Sequence, residues 1–204
     1  MRDMFETDFD ERLENQLTFI IEIDKVKQIF RKTKLFDGSR YSNDAEHSWS
    51  IAIMAVLLRE YANFEVDIEK VVYMLLIHDI VEIDAGDISV YSPERDSIME
   101  KEAEAAKRIF GILEDEQKDY FINLWKEFEA RETTEAKFAA VFDRLEPLLQ
   151  NYISGGQAWK ALKVTYQMAI EKNKHIKDGS EKIWEFVKKL LDTASRKGYF
   201  FEVK

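Results

Sequence analysis

Cysteine is absent from the 204-residue sequence. That excludes disulfides, thiolate catalysis and sulfur-ligated zinc. Only two prolines and seven glycines interrupt the chain, so long helices are expected and a turn-rich β architecture is not. No apolar run approaches the ~20 residues that cross a bilayer, so no membrane partner is expected. The opening MRDMFETDFDERLENQ is charged and has no apolar signal core, which makes the cytoplasm the expected compartment. Positive charge is in deficit. Thirty Lys and Arg face 40 Asp and Glu, a net charge of −10. Such a surface disfavours nucleic acid polymers and anionic membranes. A small anionic substrate is still compatible with it, given a local basic or metal site. Histidine is scarce too, at His47, His78 and His175.

What is present is apolar material for one sizeable core, 46% of the residues. An all-α, single-domain helical bundle over 1–204 is expected, with no internal repeat. Residues 1–10 read as a polar lead-in. Asp10 caps a first helix whose apolar stripe runs from Leu13 through Val26 to Ile29 and Phe30, ending in the basic Arg31, Lys32 and Lys34. Asp37-Gly38 signals a turn. Asn43 or Asp44 caps a second helix over about 44–62, with Trp49, Ile51, Met54, Leu57 and Leu58 as its apolar positions. Asp67 caps a third. Ser92 and Pro93 start another, reaching Phe110, and one more covers about 114–130. Thr133 or Thr134 caps the next, in which Pro147 predicts a kink. Ser154-Gly155-Gly156 is the strongest loop signal. Helices at about 164–173 and 180–197 close the chain, and the polar run between them reads as a solvated loop. No stretch alternates with period two.

The third helix carries the chemistry. Residues 75–87 read LLIHDIVEIDAGD, an apolar run that passes directly into His78, Asp79, Glu82, Asp84 and Asp87. Ionisable groups survive beside a core when they are paired or bind a metal. His78 and Glu82 share a face at helical spacing, and Gly86 lets the backbone turn so that Asp87 points back to the same mouth. His47 opens the second helix, and Asp143 interrupts the apolar pattern of AAVFDRLEP. His47, His78, Asp79 and Asp143 together form a two-nitrogen, two-oxygen set suited to one divalent transition metal: cobalt, manganese, iron, zinc or nickel. Each member alone has an ordinary reading, as a helix histidine, a paired surface acid or a cap. His175, among lysines, reads as a surface residue.

The order His, His-Asp, Asp resembles the HD superfamily of metal-dependent phosphohydrolases, and within it the 5′-deoxynucleotidase-like branch. The resemblance covers about residues 20–155, leaving C-terminal helices over about 156–204. It rests on Arg31 through DGSRYSNDAEHSW, on LLIHDIVEIDAGD, and on FEARETTEAKFAAVFDRLEPLLQNY. It implies that His47, His78, Asp79 and Asp143 are metal ligands and that Glu82 and Asp87 are the acidic catalytic pair. Arg31 matches the arginine that contacts the phosphate, and Arg40 is a second candidate. The branch often has tryptophan after that arginine, where this chain has Lys32. No histidine lies between His78 and Asp143, so one metal is expected rather than two.

The implied activity is release of phosphate from (deoxy)nucleoside 5′-monophosphates by an activated water on the metal. The implied partner is a small nucleotide, and related proteins are commonly homodimers. Two other readings stay open. One is an HD-type hydrolase of another nucleotide phosphoester, a triphosphate or a phosphodiester. The other is a non-catalytic helical protein whose His-Asp set staples three helices. The surplus acids Glu82, Asp84 and Asp87 weigh against the staple, because ligation alone has no use for them.

Overall fold

The computed structural model describes residues 10–92 and 95–202. The polar lead-in over 1–9 and the proline of the expected Ser92-Pro93 helix start lie outside the described residues. The fold is all-α apart from one small ribbon, as expected.

Asp10 caps α1 (Glu11–Ile23) by accepting from the Arg12 and Leu13 amides. The expected long first helix ends there. A tight turn over Asp24–Gln28 leads into β1 (Phe30–Lys34), which pairs antiparallel with β2 (Tyr41–Asn43). Arg31, Lys32 and Lys34 therefore sit on a strand and not on a helix end. The helical spacing of Val26, Ile29 and Phe30 hid this, because what makes the strand is pairing with residues on the far side of the Asp37-Gly38 turn.

β2 runs directly into α2 (Asp44–Leu57). Asn43 and Glu46 form a reciprocal capping box at its start. The buried face of α2 is Asp44, His47, Ser48, Ile51, Ala52 and Ala55, a clean i, i+3, i+4 repeat. Trp49 and Leu57, expected on the apolar stripe, instead lie on the outer face, 65% and 71% exposed. Asp67 caps α3 (Ile68–Ile77), which buries Val71, Met74 and Leu75. Here α3 stops. His78–Val81 tightens into a 3₁₀ turn and α4 (Glu82–Ala85) follows, ending at Gly86 with φ +78°. The expected single helix through this stretch is thus three short pieces.

α5 (Arg95–Phe110) and α6 (Asp115–Ala130) pack beside this segment. The long α7 (Thr134–Ile153) lies against α2, α3 and α6, and buries Phe138, Val141, Phe142 and Leu145. It runs unbroken through Pro147, where a kink or break was expected. A turn at Gly155-Gly156 leads to α8 (Gln157–Ala161), then α9 (Tyr166–Asn173) and α10 (Ile176–Gly179). The run read as a solvated loop is held on α7, with Ile176 fully buried. α11 (Glu181–Arg196), capped by Ser180, closes the core with Ile183, Val187, Leu190 and Leu191. At the α10–α7 contact a Cβ on Gly179 would meet the Lys137 carbonyl oxygen at 2.3 Å and Val141 Cγ2 at 2.6 Å. Gly179→Ala is expected to cost about 1–3 kcal/mol, read from the urea midpoint. An unchanged midpoint would mean that α10 shifts freely on α7.

Candidate metal centre

Three segments bring the expected ligands to one point. The capping box on α2 fixes its first turn and sends His47 inward, where it is fully buried. Its Nδ1 is held by the Glu146 carboxylate. Its Nε2 faces the cluster, 3.4 Å from Asp143 Oδ1 and 3.9 Å from Asp79 Oδ2. The 3₁₀ turn after α3 carries His78 and Asp79. His78 Nδ1 donates to the Leu75 carbonyl at 2.9 Å, which fixes its tautomer. That leaves His78 Nε2 buried and without a hydrogen-bond partner among the described residues. It lies 3.1 Å from Asp79 Oδ1 and 3.7 Å from Asp143 Oδ1. Ligand atoms of His47, His78 and Asp79 fall within 4.8 Å of one another. A buried imidazole nitrogen turned towards two carboxylates, with the opposite ring nitrogen tied down, is an arrangement suited to a metal ligand. The donor set, two nitrogens and two carboxylates without sulfur, fits a divalent cation.

Arg31 reaches the same place from β1. Its Nη1 donates to Asp79 Oδ2 at 2.7 Å and to Asp44 Oδ1 at 3.0 Å. Arg40 is not brought in. It pairs with Glu46 at the outer end of the ribbon and is exposed. Glu82 and Asp87 line the cavity beside the cluster, and each has one buried oxygen without a partner among the described residues. Asp84 turns away to Arg108, at 2.8 Å.

The HD domain model matches residues 23–184. The chain belongs to the HD-domain family. The HD fold extends to a solved structure from Magnetospirillum magnetotacticum MS-1, titled a predicted metal-dependent phosphohydrolase. That protein is 47% identical, with a TM-score of 0.89 over 95% of this chain and 100% of that one. Two curated relatives are named 5′-deoxynucleotidase HDDC2. The Danio rerio protein is 25% identical over 68% of this chain and 68% of its own length. The Homo sapiens protein is 26% identical over 66% and 65%. Together these make the chain an HD-superfamily, 5′-deoxynucleotidase-like protein, as its motifs implied.

Two residues of this HD centre escaped the sequence reading. Glu146 holds His47 from one helical turn beyond Asp143. Its only signal was an acid at a buried position of the α7 pattern. Asp44, weighed only as a cap, is fully buried and anchors Arg31. Glu146→Gln is expected to weaken metal affinity about 10–100-fold, measured by chelator competition. Unchanged affinity would reduce the contact to packing. His175, expected at the surface, is half-buried against Arg144 and Arg131, and burial followed by those charges lowers it to about 4.

The charges of the cluster oppose one another. Burial alone would push His78 down, but Asp79 and Asp143 outweigh it and raise it to about 9. Burial works the other way on Asp143, where Arg144, His47 and His78 prevail and hold its carboxyl well below the usual range. Burial, then Asp79 and Asp44, pushes Glu82 well up, while burial and Asp79 raise Asp87. Asp44 rises to about 6 through burial and Asp79, against the pull of Arg31. His78, Glu82, Asp87 and Asp44 thus bind protons more tightly folded than unfolded. Stability gained from them is lost as pH rises through their folded values. Protein stripped of metal is therefore expected to melt at a lower temperature at pH 9 than at pH 6. A flat profile would mean that the acids and His78 are not coupled as described. Asp143 acts in the opposite sense only in acid, below its ordinary value.

Proposed function

We propose that this HD-domain phosphohydrolase releases inorganic phosphate from (deoxy)nucleoside 5′-monophosphates, with His47, His78, Asp79 and Asp143 holding one divalent transition metal. The observation that carries the reading is His78 Nε2, buried between the Asp79 and Asp143 carboxylates with the other ring nitrogen tied to Leu75, at the head of a cavity that Arg31, Glu82 and Asp87 also line. A divalent ion in that set supplies Lewis-acid charge and makes water more acidic.

The chain's own residues supply the rest. Arg31, pinned by Asp44 and Asp79, presents its remaining N–H groups to the phosphate and neutralises it. Glu82 follows Asp79 by one turn and is placed to orient the attacking water; a cation bound beside it would offset the push of Asp79 and Asp44 on its carboxyl and let it take the proton. Asp87 lies nearer the mouth, within the field of Lys32. Its raised carboxyl is suited to hand a proton to the leaving oxygen. Phe128, Trp159 and Leu162 give the cavity apolar walls.

The same reading includes a cytoplasmic homodimer. No described helix is long and apolar enough to cross a membrane. The outer face of α2 leaves Trp49, Ile53, Val56 and Leu57 exposed at helical spacing, which supports a self-association surface. Sedimentation of the wild type against Trp49→Glu tests it.

The deciding experiment is phosphate release from a panel of nucleoside 5′-monophosphates, using protein stripped of metal and resupplied separately with cobalt, manganese, zinc or magnesium. Metal-dependent release favouring deoxynucleotides supports the reading. No release with any metal overturns it in favour of another phosphoester.

A further inference from the structure

The cavity at the HD centre is small, about 110 Å³. It has room for a phosphoryl group and its immediate neighbours, whereas clefts for drug-sized ligands run to about 300–1,000 Å³. Most of a nucleotide must lie elsewhere. The cavity continues towards β1. Arg31, Lys32, Thr33, Ala158 and Leu162 line both it and a second groove of about 380 Å³, between β1 and α8.

The chemistry of that groove is unlike the rest of the molecule. The chain carries ten more acids than bases, yet no Asp or Glu lines the groove, and Arg31, Lys32 and Lys34 do. Lysines on the neighbouring turn are neutralised locally, Lys25 by Glu22 and Lys27 by Asp24. Lys32 and Lys34 have no carboxylate within 4 Å among the described residues, and Lys34 only overlies the Tyr41 ring at 5.8 Å. Two ordinary solubilising lysines would not need an acid-free groove that opens from a phosphate-sized cavity. A concave site lined by one sign of charge focuses its field on an anion.

We propose that Lys32 and Lys34, two apart on β1, form a second anionic subsite, and that the preferred substrate is a nucleotide whose leaving alcohol carries a further phosphate, such as a nucleoside 3′,5′-bisphosphate. The inference rests on the phosphatase reading above and specifies its substrate. The bond chemistry is unchanged. A water oxygen adds to the phosphorus held near Arg31, the ester P–O bond breaks, and the leaving oxygen takes a proton. The second phosphate stays intact on the lysines.

Equilibrium binding, read separately from turnover, tests the subsite. Deoxyadenosine 5′-monophosphate and deoxyadenosine 3′,5′-bisphosphate are compared on the full-length metal-supplied protein. Wild type is expected to bind the bisphosphate at least about tenfold more tightly, the scale of one hydrogen bond between charged groups. The Lys32→Ala/Lys34→Ala protein should bring the ratio close to one, and Lys32→Arg/Lys34→Arg should keep it. Both positions are on a partly exposed ribbon, and circular dichroism confirms folding. Equal affinity in wild type would overturn the subsite. A preference that survives the double alanine change but falls in Tyr41→Ala would also overturn it, assigning the groove to the base. Bisphosphate preference without phosphate release from either ligand would support the subsite and overturn the phosphatase reading. Release without preference would do the reverse.

Discussion

Asp143→Ala is expected to lose bound metal and phosphate release together. Asp143 Oδ1 faces both imidazoles, at 3.4 Å from His47 Nε2 and 3.7 Å from His78 Nε2. Its removal leaves two nitrogens and a single carboxylate, and that carboxylate is already shared with Arg31. It also leaves Arg144, which pairs with Asp143 at 3.5 Å, without that carboxylate to offset its charge near the cation. The loss in affinity should exceed the ~100-fold typical of a residue that merely supports a ligand. Metal content by elemental analysis and turnover on the same preparation check it. A variant that stays metal-replete and active would remove Asp143 from the ligand set.

Glu82→Gln is expected to behave in the opposite way, keeping the metal and losing turnover by about 10²–10⁴-fold. The side chain is buried, with one oxygen unpartnered among the described residues. Glutamine matches its shape and removes only its capacity to carry a proton. The four expected ligands are untouched. Because the loss falls on the chemical step, kcat should fall while KM moves little. Retained turnover would take Glu82 out of the chemistry and shift attention to Asp87→Asn.

The candidate ligands were legible because histidine is rare in this chain and because an ionisable group inside an apolar repeat stands out. His78-Asp79 follows the buried Leu75 and Ile77, and Asp143 follows Phe142. The elements with their own caps were legible for a similar reason: Asp10 and Asp67 cap where expected, and Asn43 and Thr133 do so out of the two residues open at each start. Glu146 and Asp44 were not, because one acid among 40 carries no mark of burial. The ribbon was not legible because its pairing joins Phe30 to Asn43 across a turn, beyond the reach of local periodicity. Arg31 therefore came to the site from a strand, while Arg40, equally plausible as a string of letters, ended on the outside with Glu46. Lys32 meant little until the groove beside it had a shape.

The span between His47 and Asp143 has a consequence of another kind. These partners lie 96 residues apart in the chain. A cation held by both would act as a cross-link in a protein that has no disulfide. Closing a loop of about 100 residues removes roughly 4.7 kcal/mol of unfolded-chain entropy when the link is covalent, and a reversible link acts in proportion to its occupancy. Amides of α2 and α7 should then exchange with solvent more slowly in the metal-bound protein than in the chelated one, with the exposed ribbon tip unaffected. The centre would thus set the lifetime of the folded chain as well as its chemistry.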